Sequence, residues 1–225
     1  MAALIKRELG IEAKLVEGNT GEFSVLVDGQ VVAKKGWVRF PADTKVLQSV
    51  QHYFSSLRDA LRGLEGGDFS RLEPLFGEAK SEAGRCRIVE WYEKGYFDDK
   101  PKALAEALSC ACFLGRTSVA KFLLDKGVDP AAGIGTGLAA FHWAANRGNL
   151  DTVKLLIERG APLEQENMYG GTVLGCTVWS AIHEPRADHI QIIEALIAAG
   201  ANIEAADYPT GNKRVDETLR RHGAK

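Results

Sequence analysis

The side chains that could ligate a metal or carry thiol and imidazole chemistry are Cys110, Cys112, Cys176, His142, His183 and His189. Structural zinc is held by cysteine pairs with about two to four residues between them and a second pair beyond. Cys110-x-Cys112 falls instead inside an apolar run that reads as a helix, where residues two apart point to different faces. These thiols therefore read as small buried hydrophobes, the usual fate of free cysteine. Cys86 differs, because it lies in a charged connector and is expected to be exposed and oxidisable, with no second thiol beside it. His142 has no nucleophile or acid at a readable spacing, so it reads as a structural imidazole. The glycine-rich loop Ala132-Gly-Ile-Gly-Thr-Gly137 follows a helix rather than a strand and has no lysine after it, so it fails as a phosphate cradle. Lys213-Arg214 and Arg220-Arg221-His222 make the last helix basic, which suits a solvated cap with positive charge at a helix C-terminus. No catalytic residue, cofactor-binding residue or metal ligand emerges, and the chain is expected not to be an enzyme.

The elements that position these side chains are helices written in a repeating phrase between Pro101 and Gly223. Each copy has a short apolar segment, a glycine, a second apolar helix and a closing glycine. The first runs from Glu106 through Gly115 to Gly127, and the second from Ala139 through Gly148 to Gly160. From Gly115 to Gly148 is 33 residues, and from Gly127 to Gly160 is 33 again. The third copy begins at Thr172 and ends at Gly200, 40 residues after Gly160, with seven extra residues around His183 to Asp188. A helical pair with one apolar face cannot bury it alone, so neighbours must stack and share a core. That core is expected at Phe122, Leu123, Leu155, Leu156, Ile193 and Leu196, with Ala111, Ala144 and Ala145 allowing close approach. Gly127, Gly160 and Gly200 stand where a helix end takes positive φ.

A fixed period of 33 with this wording resembles ankyrin repeats. The ending from Tyr208 onward, and the wording ALSCACFLGRT, resemble a bacterial ankyrin group. The resemblance implies an α-helical solenoid over residues 53–225. Its parts are a degenerate N-terminal capping repeat with an insertion (53–100), repeats at 101–135, 136–168 and 169–207, the last with the seven-residue insertion, and a C-terminal cap at 208–225. It also implies that His142 holds a loop of the stack, and that protein partners bind the concave side through loop tips and first helices. Carried over by position, the partner-binding residues are Thr136, Trp143, Asn146 and Arg147 in one repeat, beside Gly135. In the next they are Glu166, Met168, Tyr169 and Trp179, beside Cys176. Two Trp, a Tyr, a Met and an Arg have the composition of a binding hot spot. The competing reading is that Trp143 and Trp179 pack against neighbouring repeats.

The first fifty residues read differently. AALIKREL is a short amphipathic helix stopped at Gly10, and Ile11, Ala13 and Leu15 alternate with polar residues as in a strand. Gly21 to Lys35 reads as a hairpin, with Phe23, Val25 and Val27 on one face and Asp28-Gly29 as its turn. Pro41 opens a helix through Val46, Val50 and Phe54. The order is α-β-β-β-α. Leu15-Val-Glu-Gly-Asn-Thr-Gly-Glu-Phe23, Val27-Asp-Gly29, Lys34-Lys35 and Phe40-Pro41 resemble the selenoprotein W-like, thioredoxin-like family over residues 1–52. That family carries a strand and a Cys-x-x-Cys or Cys-x-x-selenocysteine pair before its first helix, and neither precedes Ala2 here. A redox adaptor whose Cys-x-x-Cys is missing from this chain is therefore the alternative to an ankyrin scaffold. The open sheet edge makes a homodimer possible by strand addition.

At 225 residues and net charge −2, with 26% charged and 45% hydrophobic residues, the composition is that of a soluble globular protein without a pull toward nucleic acid or membrane. No apolar run approaches the roughly 18 residues of a membrane span. The N-terminus lacks the apolar core of a signal peptide, and the four cysteines show no framework spacing, so a cytoplasmic location is expected. The fold class expected is α+β overall: a mainly α ankyrin-repeat solenoid preceded by a small α-β-β-β-α thioredoxin-like fragment.

Overall fold

The computed structural model describes residues 1–9, 13–17, 23–27, 30–34, 43–69, 72–77 and 86–225. It divides into two compact units, Met1–Leu61 and Arg62–Lys225. The Asp28-Gly29 turn, the start at Pro41, Gly10, and the connector from Glu78 to Gly84 lie outside the described residues, as do the side chains of Phe23 and Phe54.

The first unit holds α1 (Ala2–Leu9), then β1 (Lys14–Glu17), β2 (Phe23–Val27) and β3 (Gln30–Lys34), and most of α2 (Asp43–Gly66). The strands form an antiparallel sheet in the order β1-β2-β3. Leu15 pairs with Val25 and Val25 with Ala33, while a bulge opposite Val25 and Leu26 lets β3 carry an extra residue. Alternation turns Val25 and Val27 inward, as the period of a strand requires. Against them pack Ile5 of α1 and Val46 and Val50 of α2, one turn apart. All four residues of β1 are exposed. Leu15 shares a sheet face with buried Val25 yet is 41% exposed, so the apolar row runs out at that edge.

The second unit is a stack of helix pairs. After a 3-10 turn at Glu73–Leu75 come α3 (Arg87–Glu93), α4 (Pro101–Phe113), α5 (Thr117–Asp125), α6 (Ala140–Asn146), α7 (Leu150–Glu158), α8 (Val173–His183), α9 (His189–Ala198) and α10 (Lys213–Arg221). First helices α4, α6 and α8 pack side by side in one layer, and α5, α7 and α9 form a second layer behind them. Helix α10 closes the end against α8 and α9, with the Asn212 side chain accepting the Arg214 and Val215 N–H groups as its cap. Pro101 opens α4, where a missing N–H costs nothing.

Leu123, Leu155, Leu156, Ile193 and Leu196 are buried, as are Ala111, Ala144 and Ala145. Phe122 departs from expectation: it is half-buried, with its ring edge-on to Tyr92 at 5.4 Å and the Lys126 ammonium 5.5 Å from its centroid. Its helix α5 packs against α3, which brings the Tyr92 ring to it. Gly127, Gly160 and Gly200 have φ of 84°, 69° and 101°, which ends each second helix at little steric cost. Polar side chains tie copy to copy. Asn149 donates to the Cys112 carbonyl at 2.7 Å, Gln165 to the Ala131 carbonyl at 2.8 Å, and the Thr117 and Thr152 hydroxyls are 2.7 Å apart. Among the described residues no helix is long and apolar enough to cross a membrane.

Candidate interaction surface

The thiols and imidazoles are packed into the framework. Cys110 and Cys112 are fully buried, and burial pushes both thiols well above their ordinary range. Cys176 is half-buried and pushed up to about 11 by desolvation. Cys86 corrects the expectation of an oxidisable surface thiol. It is buried at the start of α3 beside Ile88 and Val89, and desolvation raises its pKa too. Among the described residues no three His, Cys, Asp or Glu side chains come together as a metal site.

His142 is fully buried, and its Nε2–H donates to the Gly171 carbonyl at 3.1 Å, holding the next loop. Burial depresses its pKa, so the ring is neutral in the folded state. His189 is a second such residue, and only the fold reveals it. Its Nδ1 accepts the Arg186 N–H at 3.1 Å and its Nε2–H donates to the Asn146 carbonyl at 3.0 Å. The ring thus fastens the seven-residue insertion to the preceding repeat, and burial lowers its pKa as well.

The strip expected to meet a partner falls into two parts. In one, the Trp143 Nε1–H donates to Thr136 Oγ1 at 2.8 Å. Its ring lies edge-on to Phe113 at 5.0 Å and 85°, and to Phe69 at 6.2 Å and 68°. Arg147 covers Phe113, with its guanidinium carbon 4.8 Å from the ring centroid. Asn146 donates to Ser180 Oγ at 2.8 Å, so it too is engaged within the stack. Trp143 is half-buried, and it packs against neighbours.

The other part is open. Met168 is 67% exposed, Tyr169 80% and Trp179 51%, and Glu166 is also exposed. The loop bearing the first two is built, not loose. Asn167 Oδ1 accepts the Tyr169 and Gly171 N–H groups at 2.9 and 3.1 Å, and the Met168 N–H donates to the Gly137 carbonyl at 2.9 Å. Trp179 stacks on His183 with centroids 4.4 Å apart and planes 18° from parallel, while His183 Nδ1–H donates to the Trp179 carbonyl. Gly135 N–H donates to Glu106 Oε1 at 2.6 Å, fixing the tip of the preceding loop. That carboxyl is buried, Oε2 has no hydrogen-bond partner, and desolvation raises its pKa.

Phe113 was within reach of sequence reasoning, since it stands one 33-residue period before Asn146. The His183 stack was too, since His183 follows Trp179 by four residues on one helix, whereas no periodic relation connects Phe69 or Glu106 to the strip.

Residues 108–207 match the family profile of ankyrin repeats, in three copies. This stretch is built of ankyrin repeats. Human protein phosphatase 1 regulatory subunit 27 is 33% identical over 90 residues, 40% of this chain and 53% of that protein. Its mouse counterpart is 37% identical over 73 residues, covering 32% and 42%. A rice protein described as a probable E3 ubiquitin-protein ligase, XBOS33 (Oryza sativa subsp. japonica), is 36% identical over 70 residues, covering 31% of this chain and 12% of the relative. The chain thus spans about half the length, or less, of the curated relatives it matches.

Proposed function

We propose that this chain is a non-enzymatic protein–protein interaction protein, in which a rigid ankyrin stack displays its loop tips and first helices to a partner protein. One observation carries the reading. Among the described residues of the repeat unit, Met168, Tyr169 and Trp179 stand open on an ordered loop and helix, and Ile134 is the one other large apolar side chain that is exposed there. Exposed aromatics on an ordered scaffold mark contact surfaces, because little conformational entropy is lost when they are covered. A regulatory subunit among the relatives agrees with a role in binding proteins.

In the same reading, residues 53–100 serve as the degenerate capping end of a stack of bacterial type, and the N-terminal unit is a selenoprotein W-like, thioredoxin-like module. A redox adaptor would need thiols that residues 1–61 do not contain. Strand addition by a second copy at β1 remains part of the proposal, since its four residues are exposed.

Affinity capture from the native cell, using the wild type and the double variant Tyr169→Ala/Trp179→Ala, tests the main claim. The double variant should keep its helical circular dichroism and thermal midpoint while losing the captured protein. Unchanged capture would sink the assignment of this surface.

A further inference from the structure

The closed part of the strip is closed by the chain itself. Helix α2 ends at Gly66, and the backbone turns at Gly67 with φ of 72°. A Cβ at Gly67 would come within 2.5 Å of Thr136 Cγ2 and 3.3 Å of the Thr136 nitrogen, so this turn lies flat on the tip of a repeat loop. Two residues later Phe69 is only 5% exposed, with its ring 5.9 Å from Phe113 and 6.2 Å from Trp143. Phe113 belongs to α4 and Trp143 to α6, so Phe69 bridges two successive first helices. A residue that merely capped the end of the stack would meet only the first.

The segment from Leu72 to Gly77 is anchored separately. Leu72 and Phe76 are buried, and Arg116 donates from Nε to the Gly77 carbonyl at 2.8 Å and from a terminal nitrogen to Glu73 Oε1 at 2.7 Å. The side chains of the anchor rest on Arg116 and those of the plug on Phe113 and Trp143. Backbone hydrogen bonds hold the turn: Gly67 N–H to the Leu64 carbonyl at 3.1 Å, Asp68 N–H to the Gly63 carbonyl at 3.0 Å, and Leu72 N–H to the Phe69 carbonyl at 3.2 Å. Lifting the turn would break these backbone bonds and leave the two Arg116 hydrogen bonds of the anchor in place.

We propose that Gly66–Phe69 is an internal ligand of the repeat surface. Phe69 occupies the notch of Phe113 and Trp143 that a partner's aromatic side chain fills when the turn lifts away. The partner chemistry is read from the occupant: an aromatic residue preceded by small residues that can lie flat on the loop at Thr136. The notch has the features of an aromatic hot spot, with edge-on rings and Arg147 over one of them. The inference rests on the interaction reading above and divides its surface into a half that is always open and a half that is gated.

The test uses the full chain and the peptide acetyl-Gly-Gly-Asp-Phe-Ser-amide, which carries the sequence of residues 66–70. Binding is measured by calorimetry and by the Trp143 indole N–H resonance. The Phe69→Ala variant should bind this peptide at least about tenfold more tightly than the wild type, and should not bind the same peptide with Ala in place of Phe. Gly67→Val, which forces the turn off Thr136 while leaving Phe69 in the chain, should also admit the peptide. If Phe69→Ala proves unfolded, the Gly67→Val result decides. Equal affinity for wild type and folded variants, or no binding to any of them, overturns the proposal. Adding Trp179→Ala should leave the titration unchanged, so failure of the open surface and failure of the gate are read separately.

Discussion

The sheet unit and the repeat unit solve the same burial problem with unequal means. In Met1–Leu61 the sheet packs on a cluster of five buried side chains, Ile5, Val25, Val27, Val46 and Val50, and the apolar row ends at half-exposed Leu15. In Arg62–Lys225 each helix pair hands its buried face to the next, so Leu123, Leu156 and Ile193 belong to one continuous interior. A stack gains core with every copy, whereas a three-stranded sheet with two helices gains none once its single face is covered. The same contrast separates their surfaces. The repeat unit exposes aromatics on an ordered loop and helix, while the sheet unit exposes the side chains of β1 at the edge of its described sheet, where we propose strand addition.

The largest test of this contrast is Leu156→Ala in α7. Removing a fully buried leucine from the middle of the stack should cost about 2–5 kcal/mol, read by urea unfolding of the helical signal. The matching change in the sheet unit, Val25→Ala, should cost roughly 1–3 kcal/mol, from two buried methyl groups and the space they leave. Amide hydrogen exchange should then accelerate in β2 while the protection of α7 stays as it was. Loss of protection in both units together would mean that they unfold as one, and the contrast would fail.

Acid should act on the repeat unit more sharply than on the sheet unit. His142 and His189 have folded-state pKa values held below the ordinary value of about 6.5, so the unfolded chain takes up protons first. Their contribution is complete above that value and is lost as pH falls below it toward the folded-state pKa. The urea midpoint of the helical transition should therefore drop between about pH 7 and pH 5. In His142→Gln the midpoint should be lower at neutral pH and less sensitive to acid. An unaltered pH slope in that variant would remove His142 from the account.

The smallest expected effect concerns the edge. Sedimentation at increasing concentration should show a weak dimer that Val16→Lys abolishes, since charge on an edge strand opposes strand addition. A monomer mass that is independent of concentration would leave the sheet unit without this role.

Much of this was legible before the fold. The 33-residue step located the paired helices, their glycine stops and His142, because periodic burial writes itself into sequence as periodic hydrophobicity. Alternation at Val25 and Val27 and the four-residue step from Val46 to Val50 did the same for the sheet unit. Cys86 was misread because Arg85 and Arg87 on either side of it are charged, whereas at the N-cap of α3 its own side chain is buried. Phe122 was misread because repeat position alone does not say how far the outer layer reaches.

By itself the sequence determined that helix pairs repeat and stack, and that aromatic residues occupy positions facing loops and first helices. Tertiary structure alone decided which of those aromatics remain available. Trp143 is held by Thr136, Phe113 and Phe69, while Trp179 stacks on His183 and stays 51% exposed. The reason is that exposure depends on which distant segment crosses a surface. The approach of Phe69, 74 residues before Trp143, follows no period that a sequence could display.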